Sequence, residues 1–97
     1  MVSVRAVGDT DRPRLAPHVR LEFDPARGRH MLLSPEAVTV LNATGAAILG
    51  LCDGRRTVAG IVAELRGRYQ VVIDGEVREF LARLVAARRL EIGDGDG

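Results

Sequence analysis

The stretch Ala37-Val38-Thr39-Val40-Leu41-Asn42-Ala43-Thr44-Gly45-Ala46-Ala47-Ile48 decides the fold, because the chain changes period inside it. Ala37 to Leu41 is β-branched and apolar, without charge, proline or glycine, and reads as a short strand. Asn42 is a good helix N-cap, whose side chain accepts from the first free backbone N–H groups. Ala43 to Cys52 then reads as a small-residue helix burying Ala47, Ile48, Leu51 and Cys52. Sheet therefore precedes helices, with one residue between them.

Upstream, His18-Val19-Arg20-Leu21-Glu22-Phe23-Asp24 alternates strictly, with Val19, Leu21 and Phe23 on one face and charged or polar groups on the other. That period of two predicts a strand with one wet face. Pro25-Ala26-Arg27-Gly28 is a turn, and Arg29 to Leu33 returns as the second arm of a hairpin. Ser34-Pro35-Glu36 interrupts it, since Pro35 has no N–H to give to a ladder.

Downstream, Asp53-Gly54 ends the first helix, with Gly54 suited to the left-handed C′ position. Thr57 caps a second helix whose Val58, Ile61, Val62, Leu65 and Tyr69 form one stripe. Asp74 caps a third, with Val77, Phe80, Leu81, Leu84 and Val85 as its core face and a Glu79–Arg83 pair outside. Leu90-Glu91-Ile92 reads as a short extended segment. The order β-β-β-α-α-α predicts an α+β domain of winged helix-turn-helix type: an N-terminal three-stranded antiparallel sheet followed by three helices. Residues 1–12 are expected to be a flexible N-terminus, 13–92 the single domain and 93–97 a disordered tail.

Composition narrows the function classes. The 97 residues carry 14 basic groups against 13 acidic ones, a net charge of +1, which argues against a broad electrostatic grip on nucleic acid. Every basic residue is Arg. Apolar residues make up 46%, enough for a core, but aromatics are only 3%, so base-stacking platforms are nearly excluded. Cys52 stands alone, which leaves neither a disulfide framework nor a thiolate cluster for zinc. His18 and His30 are the only imidazoles and have no third ligand nearby. No run approaches the ~18 apolar residues of a membrane span, and no signal-peptide core opens the chain, so a cytoplasmic domain is expected. Neither a metal nor a cofactor is called for, and no acid–base or nucleophilic set suggests an enzyme.

The sheet edges point to binding instead. The first strand is guarded by Pro17, Pro25 and outward charges, the usual defence against edge-to-edge pairing. The strand from Ala37 to Leu41 has no such guard, so its own helices, a second copy or an added peptide strand must cover it. The third helix is the other candidate surface. As a DNA-reading helix it would lead with Glu76 and Glu79, which oppose phosphate, so a DNA-binding regulator is the weaker alternative.

The run Leu41-Asn42-Ala43-Thr44-Gly45-Ala46-Ala47-Ile48-Leu49, then Leu51-Cys52-Asp53-Gly54-Arg55-Arg56-Thr57-Val58 and Ile61-Val62-Ala63-Glu64-Leu65, resembles the PqqD family of pyrroloquinoline quinone biosynthesis. Pro13 to Leu21 and Leu32-Leu33-Ser34-Pro35-Glu36 look like it too, so the resemblance spans roughly Pro13 to Ile92. Gly60 departs from the pattern, where members often carry Glu. The resemblance implies a non-enzymatic peptide chaperone that binds a ribosomally made precursor peptide and presents it to a radical S-adenosylmethionine enzyme. It further implies strand addition to Ala37, Val38, Thr39, Val40 and Leu41, with Leu81, Leu84, Val85 and Arg88 as candidates for the groove wall. Related modules serve other peptide-maturation pathways, and a homodimer joined through the third strand or by exchanging its hairpin is a competing reading.

Overall fold

The computed structural model describes residues 7–69 and 74–93. Its elements run β1 (Arg12–Leu15), β2 (Arg20–Asp24), β3 (Arg29–Leu33), β4 (Val38–Leu41), α1 (Ala43–Gly50), α2 (Val58–Arg68), α3 (Asp74–Ala86) and β5 (Leu90–Gly93). The α+β class, the antiparallel meander and the three helices match the sequence reading. Strands β2, β3 and β4 form one sheet in that order, while β1 pairs with β5 in a second sheet of two strands. The three-stranded sheet is therefore not the first element.

The caps follow local chemistry. Asn42 accepts from the Gly45 N–H at 2.7 Å and Thr57 from the Gly60 N–H at 3.1 Å, so each satisfies an orphan donor of its helix. Gly54 takes the left-handed conformation with φ 78°, but not as the C′ residue expected of it: α1 already ends at Gly50 with Leu51 as its C-cap, and Gly54 turns the loop that follows. Against these caps packs an aliphatic core that includes Leu32, Leu49, Val58, Ile61, Leu65, Leu81 and Leu90.

Several expectations need correcting. Residues 7–12, assigned to a flexible N-terminus, make specific contacts. Val7 is buried, and the carbonyls of Asp11 and Asp9 accept from the Val58 and Ala59 N–H groups at 2.9 and 3.1 Å. These are free donors of the first turn of α2, so the N-terminal segment completes that cap. The Arg78 guanidinium also bonds the Asp9 carboxylate, tying the segment to α3. Gly93, placed in the tail, pairs with Arg12 in the β1–β5 ladder, and residues 94–97 lie outside the described residues.

The first hairpin strand starts at Arg20 rather than His18. Phe23 shares the face of Val19 and Leu21 but is 53% exposed, because it sits at the hairpin tip beyond the reach of the helices. It meets His30 edge-on, 4.9 Å between ring centroids. That register, Phe23 opposite His30, separates His30 from His18. Tyr69, expected on the core stripe, is 39% exposed at the end of α2. Asp74 is the first residue of α3 and accepts from Arg66 at 2.5 Å, joining the end of α2 to the start of α3.

Candidate functional site

Among the described residues, strand β4 lies at the edge of its sheet, paired to β3 alone. Ala37, expected inside the strand, instead closes the Pro35-Glu36 turn by exchanging backbone hydrogen bonds with Ser34, at 2.9 and 3.3 Å. That pair sets the phase of the ladder. Hydrogen-bonded and non-hydrogen-bonded pairs alternate along an antiparallel ladder. With Leu33 opposite Val38, Leu32 opposite Thr39 and Met31 opposite Val40, Thr39 turns its N–H and C=O toward β3. Val38 and Val40 turn theirs outward. Their side chains are 63% and 45% exposed, against a half-buried Met31 and Leu33 on the same face. This edge offers two donors and two acceptors flanked by apolar groups.

One residue beyond β4 an open cleft of about 570 Å³ begins. Asn42, Thr44 and Gly45 at the start of α1 form one wall, and Glu76, Glu79, Phe80 and Arg83 of α3 the other. Ile48, Leu65 and Val77 close the base, and Tyr69 stands at the end of α2. Gly45 decides how close the walls come. A Cβ there would sit 3.3 Å from Cζ of Phe80 and 3.1 Å from Oδ1 of Asn42, so a side chain at this position would push the ring or the cap back by a few tenths of an ångström.

Of the residues singled out for the groove wall, Leu81 is fully buried in the core and offers no surface. Leu84 and Val85 are half-buried against the core. Arg88 follows α3 with φ 63°, a left-handed turn that feeds the chain into β5. None of the four lines the cleft. The α3 face that does is one position away, at Phe80 and Arg83 with Glu76 and Glu79. Glu79 and Arg83 form no ion pair with each other, among the described residues; both turn to the cleft. Phe80, read from the sequence as part of the core face, packs partly against the core and also lines the cleft, and Gly45 is the sequence signal for that close helix approach.

Cys52 carries no reactive chemistry. Its thiol donates to the Ile48 carbonyl at 3.3 Å, and burial, helped by the neighbouring Asp53 charge, pushes its pKa from about 9 to about 12. Asp53 itself is held below the usual carboxylate range by the Arg56 and Arg55 backbone N–H groups. Among the described residues no three His, Cys, Asp or Glu side chains are grouped for a metal ion, and no helix is long and apolar enough to cross a membrane.

Comparison with known proteins matches residues 29–90 to the family model for coenzyme PQQ synthesis protein D (PqqD). The chain belongs to the PqqD family. A relative from Azotobacter vinelandii called PqqA binding protein is 45% identical over 73 residues, covering 73% of this chain and 79% of that one. The bifunctional coenzyme PQQ synthesis protein C/D of Methylorubrum extorquens is 39% identical over 89 residues, 89% of this chain but 24% of the fusion. Among solved structures, the PqqD truncation of Methylobacterium extorquens PqqCD superposes with a TM-score of 0.76 at 39% identity. It covers 89% of this chain and 95% of that one, and is described as a functional, stand-alone recognition element for ribosomally synthesised and post-translationally modified peptides. The PqqD family is thus a binding family whose members occur alone or fused to a biosynthetic enzyme.

Proposed function

We propose that this PqqD-family domain binds a precursor peptide of the PqqA type by strand addition to β4 and presents it to a radical S-adenosylmethionine enzyme. The observation that carries the reading is the outward N–H and C=O of Val38 and Val40, on an edge strand followed directly by Asn42, which lines the α1–α3 cleft. The name of the Azotobacter vinelandii relative supports the choice of peptide. Occurrence of the module fused to another enzyme of the pathway supports a role in delivery rather than in bond chemistry.

The physics asks for both the edge and the cleft. Ordering a disordered peptide costs about 1–2 kcal/mol per residue. A net main-chain hydrogen bond contributes about 0.5–1.5 kcal/mol, so pairing alone roughly breaks even. Net affinity must come from side chains seated in the cleft, where Phe80 and Tyr69 offer apolar surface. A weak, fast-releasing complex suits a carrier, whose effect is to raise the peptide's local concentration at the enzyme.

Titration of the ¹⁵N-labelled protein with the Azotobacter vinelandii PqqA peptide tests this. Amide shifts should concentrate at Val38 to Leu41 and on Phe80 and Arg83. Shifts elsewhere with β4 unmoved would reject the site. A dimer persisting at dilute concentration, with β4 amides already protected from exchange, would favour pairing with a second copy.

A further inference from the structure

Among the described residues, the charged groups that face the cleft are without partners, unlike most of the carboxylates around them. Arg78 holds Asp9, Arg56 holds Asp53, Arg68 holds Glu64, Arg66 holds Asp74 and Arg14 holds Glu91. Glu76 and Glu79 are exposed on the cleft wall with neither an ion pair nor a hydrogen bond among the described residues, and so is Arg83 one turn on. Glu36, at the turn before β4, is a further carboxylate in that condition. The free charges of α3 thus collect on the one face that borders the cleft, in a fixed order: two anions near its start and a cation after them.

Resting on the peptide-binding reading above, we infer that the cleft selects its peptide by charge order. The peptide sets a Lys or Arg against Glu76 and Glu79 and an Asp or Glu against Arg83, with an apolar side chain on Phe80. Spacing supports one face of an extended chain. Glu79 and Arg83 are four residues apart, about 6 Å along a helix at ~1.5 Å per residue. Two residues of a strand cover about 6.6 Å at ~3.3 Å each. The cation and the carboxylate are therefore two positions apart in the peptide, their side chains on the same side. Opposite charge at this range also fixes direction and register, which main-chain bonds alone leave degenerate.

The test uses the full chain and the Azotobacter vinelandii PqqA peptide, with affinity from calorimetry and site from amide shifts. Because all three residues are exposed, Glu76→Gln/Glu79→Gln and Arg83→Gln should fold as the unaltered chain does. The double Gln variant should bind about three- to tenfold more weakly, with a flatter salt dependence, since exposed ion pairs are weak and screened. Each peptide Lys and Arg is then changed to Gln in turn. One of them should lose its effect in the double Gln background, and a carboxylate two positions away should lose its effect in Arg83→Gln. If β4 amides shift as expected while the variants bind unchanged and no pair couples, charge selection is refuted and strand addition stands. If β4 does not respond, the strand-addition reading fails first, and this inference falls with it.

Discussion

Replacing Val40 with proline removes an N–H that points away from β3 and puts a pyrrolidine ring where an added strand would run. Proline is tolerated on an edge strand when its nitrogen faces outward, and Thr39 before it is already extended, as a residue preceding proline prefers. The folded domain loses no ladder bond, so the cost is limited to strand propensity, within about 1 kcal/mol. For a domain of this size that corresponds to a Tm lowered by about 4–8 °C. A bound peptide, by contrast, is left with a carbonyl that has no donor, about 1–3 kcal/mol, or a Kd raised roughly 5- to 150-fold. Thr39→Pro should show the opposite balance: its N–H faces Leu32, so a ladder bond is lost and stability falls by about 1–3 kcal/mol before binding is considered. Val38→Pro repeats the first test at the initial residue of the strand, where proline is best accommodated. Thermal unfolding and calorimetry with the PqqA peptide read the two effects separately. Unimpaired binding by both folded proline variants would refute strand addition at β4. A stable Thr39→Pro beside an unfolded Val40→Pro would refute the hydrogen-bond phase from which the argument starts.

Leu81→Ala should cost about 2–5 kcal/mol of stability, read by urea unfolding, because the side chain is fully buried. Phe80→Ala should weaken peptide binding more than it lowers the unfolding midpoint, since its ring lies on the cleft wall. Gly45→Val should lower Tm and abolish binding together, because the new side chain strikes Phe80 and the Asn42 cap. Native Cys52 should resist iodoacetamide at pH 8, its thiol being neutral and enclosed. Its folded pKa lies above the unfolded value, so above about pH 9 the unfolded chain binds fewer protons and stability falls toward pH 12. Cys52→Ala should flatten that part of the pH–stability curve. Val7→Ala should lower Tm by several degrees if residues 7–12 dock on α2 as described, from the loss of about 1–2 kcal/mol of buried surface.

Local chemistry was legible in the chain. The Asn42 and Thr57 caps and the alternation around Leu21 each act within a few residues, so their structural consequence can be read from their neighbours. The unguarded edge was legible for the same reason: Val38 to Leu41 carries neither charge nor proline, and such absences are visible in a line of letters. The second sheet was not. Arg12–Leu15 gains its strand character only from Leu90–Gly93 at the far end of the chain, and no period marks a four-residue strand whose partner is remote.

The groove wall shows the same division. Helical spacing puts Val77, Phe80, Leu81 and Leu84 on one broad apolar face, and nothing in that spacing says where core ends and cleft begins. The approach of α1 decides it: Gly45 admits the Phe80 ring at the cleft, while Leu81, one position on, is enclosed. Sequence alone thus determined the three helices, the β2–β3–β4 meander and which edge is bare, because those depend on near neighbours. Which side chains face a ligand, and which charges are left without a partner, depended on how α1, α2 and α3 converge.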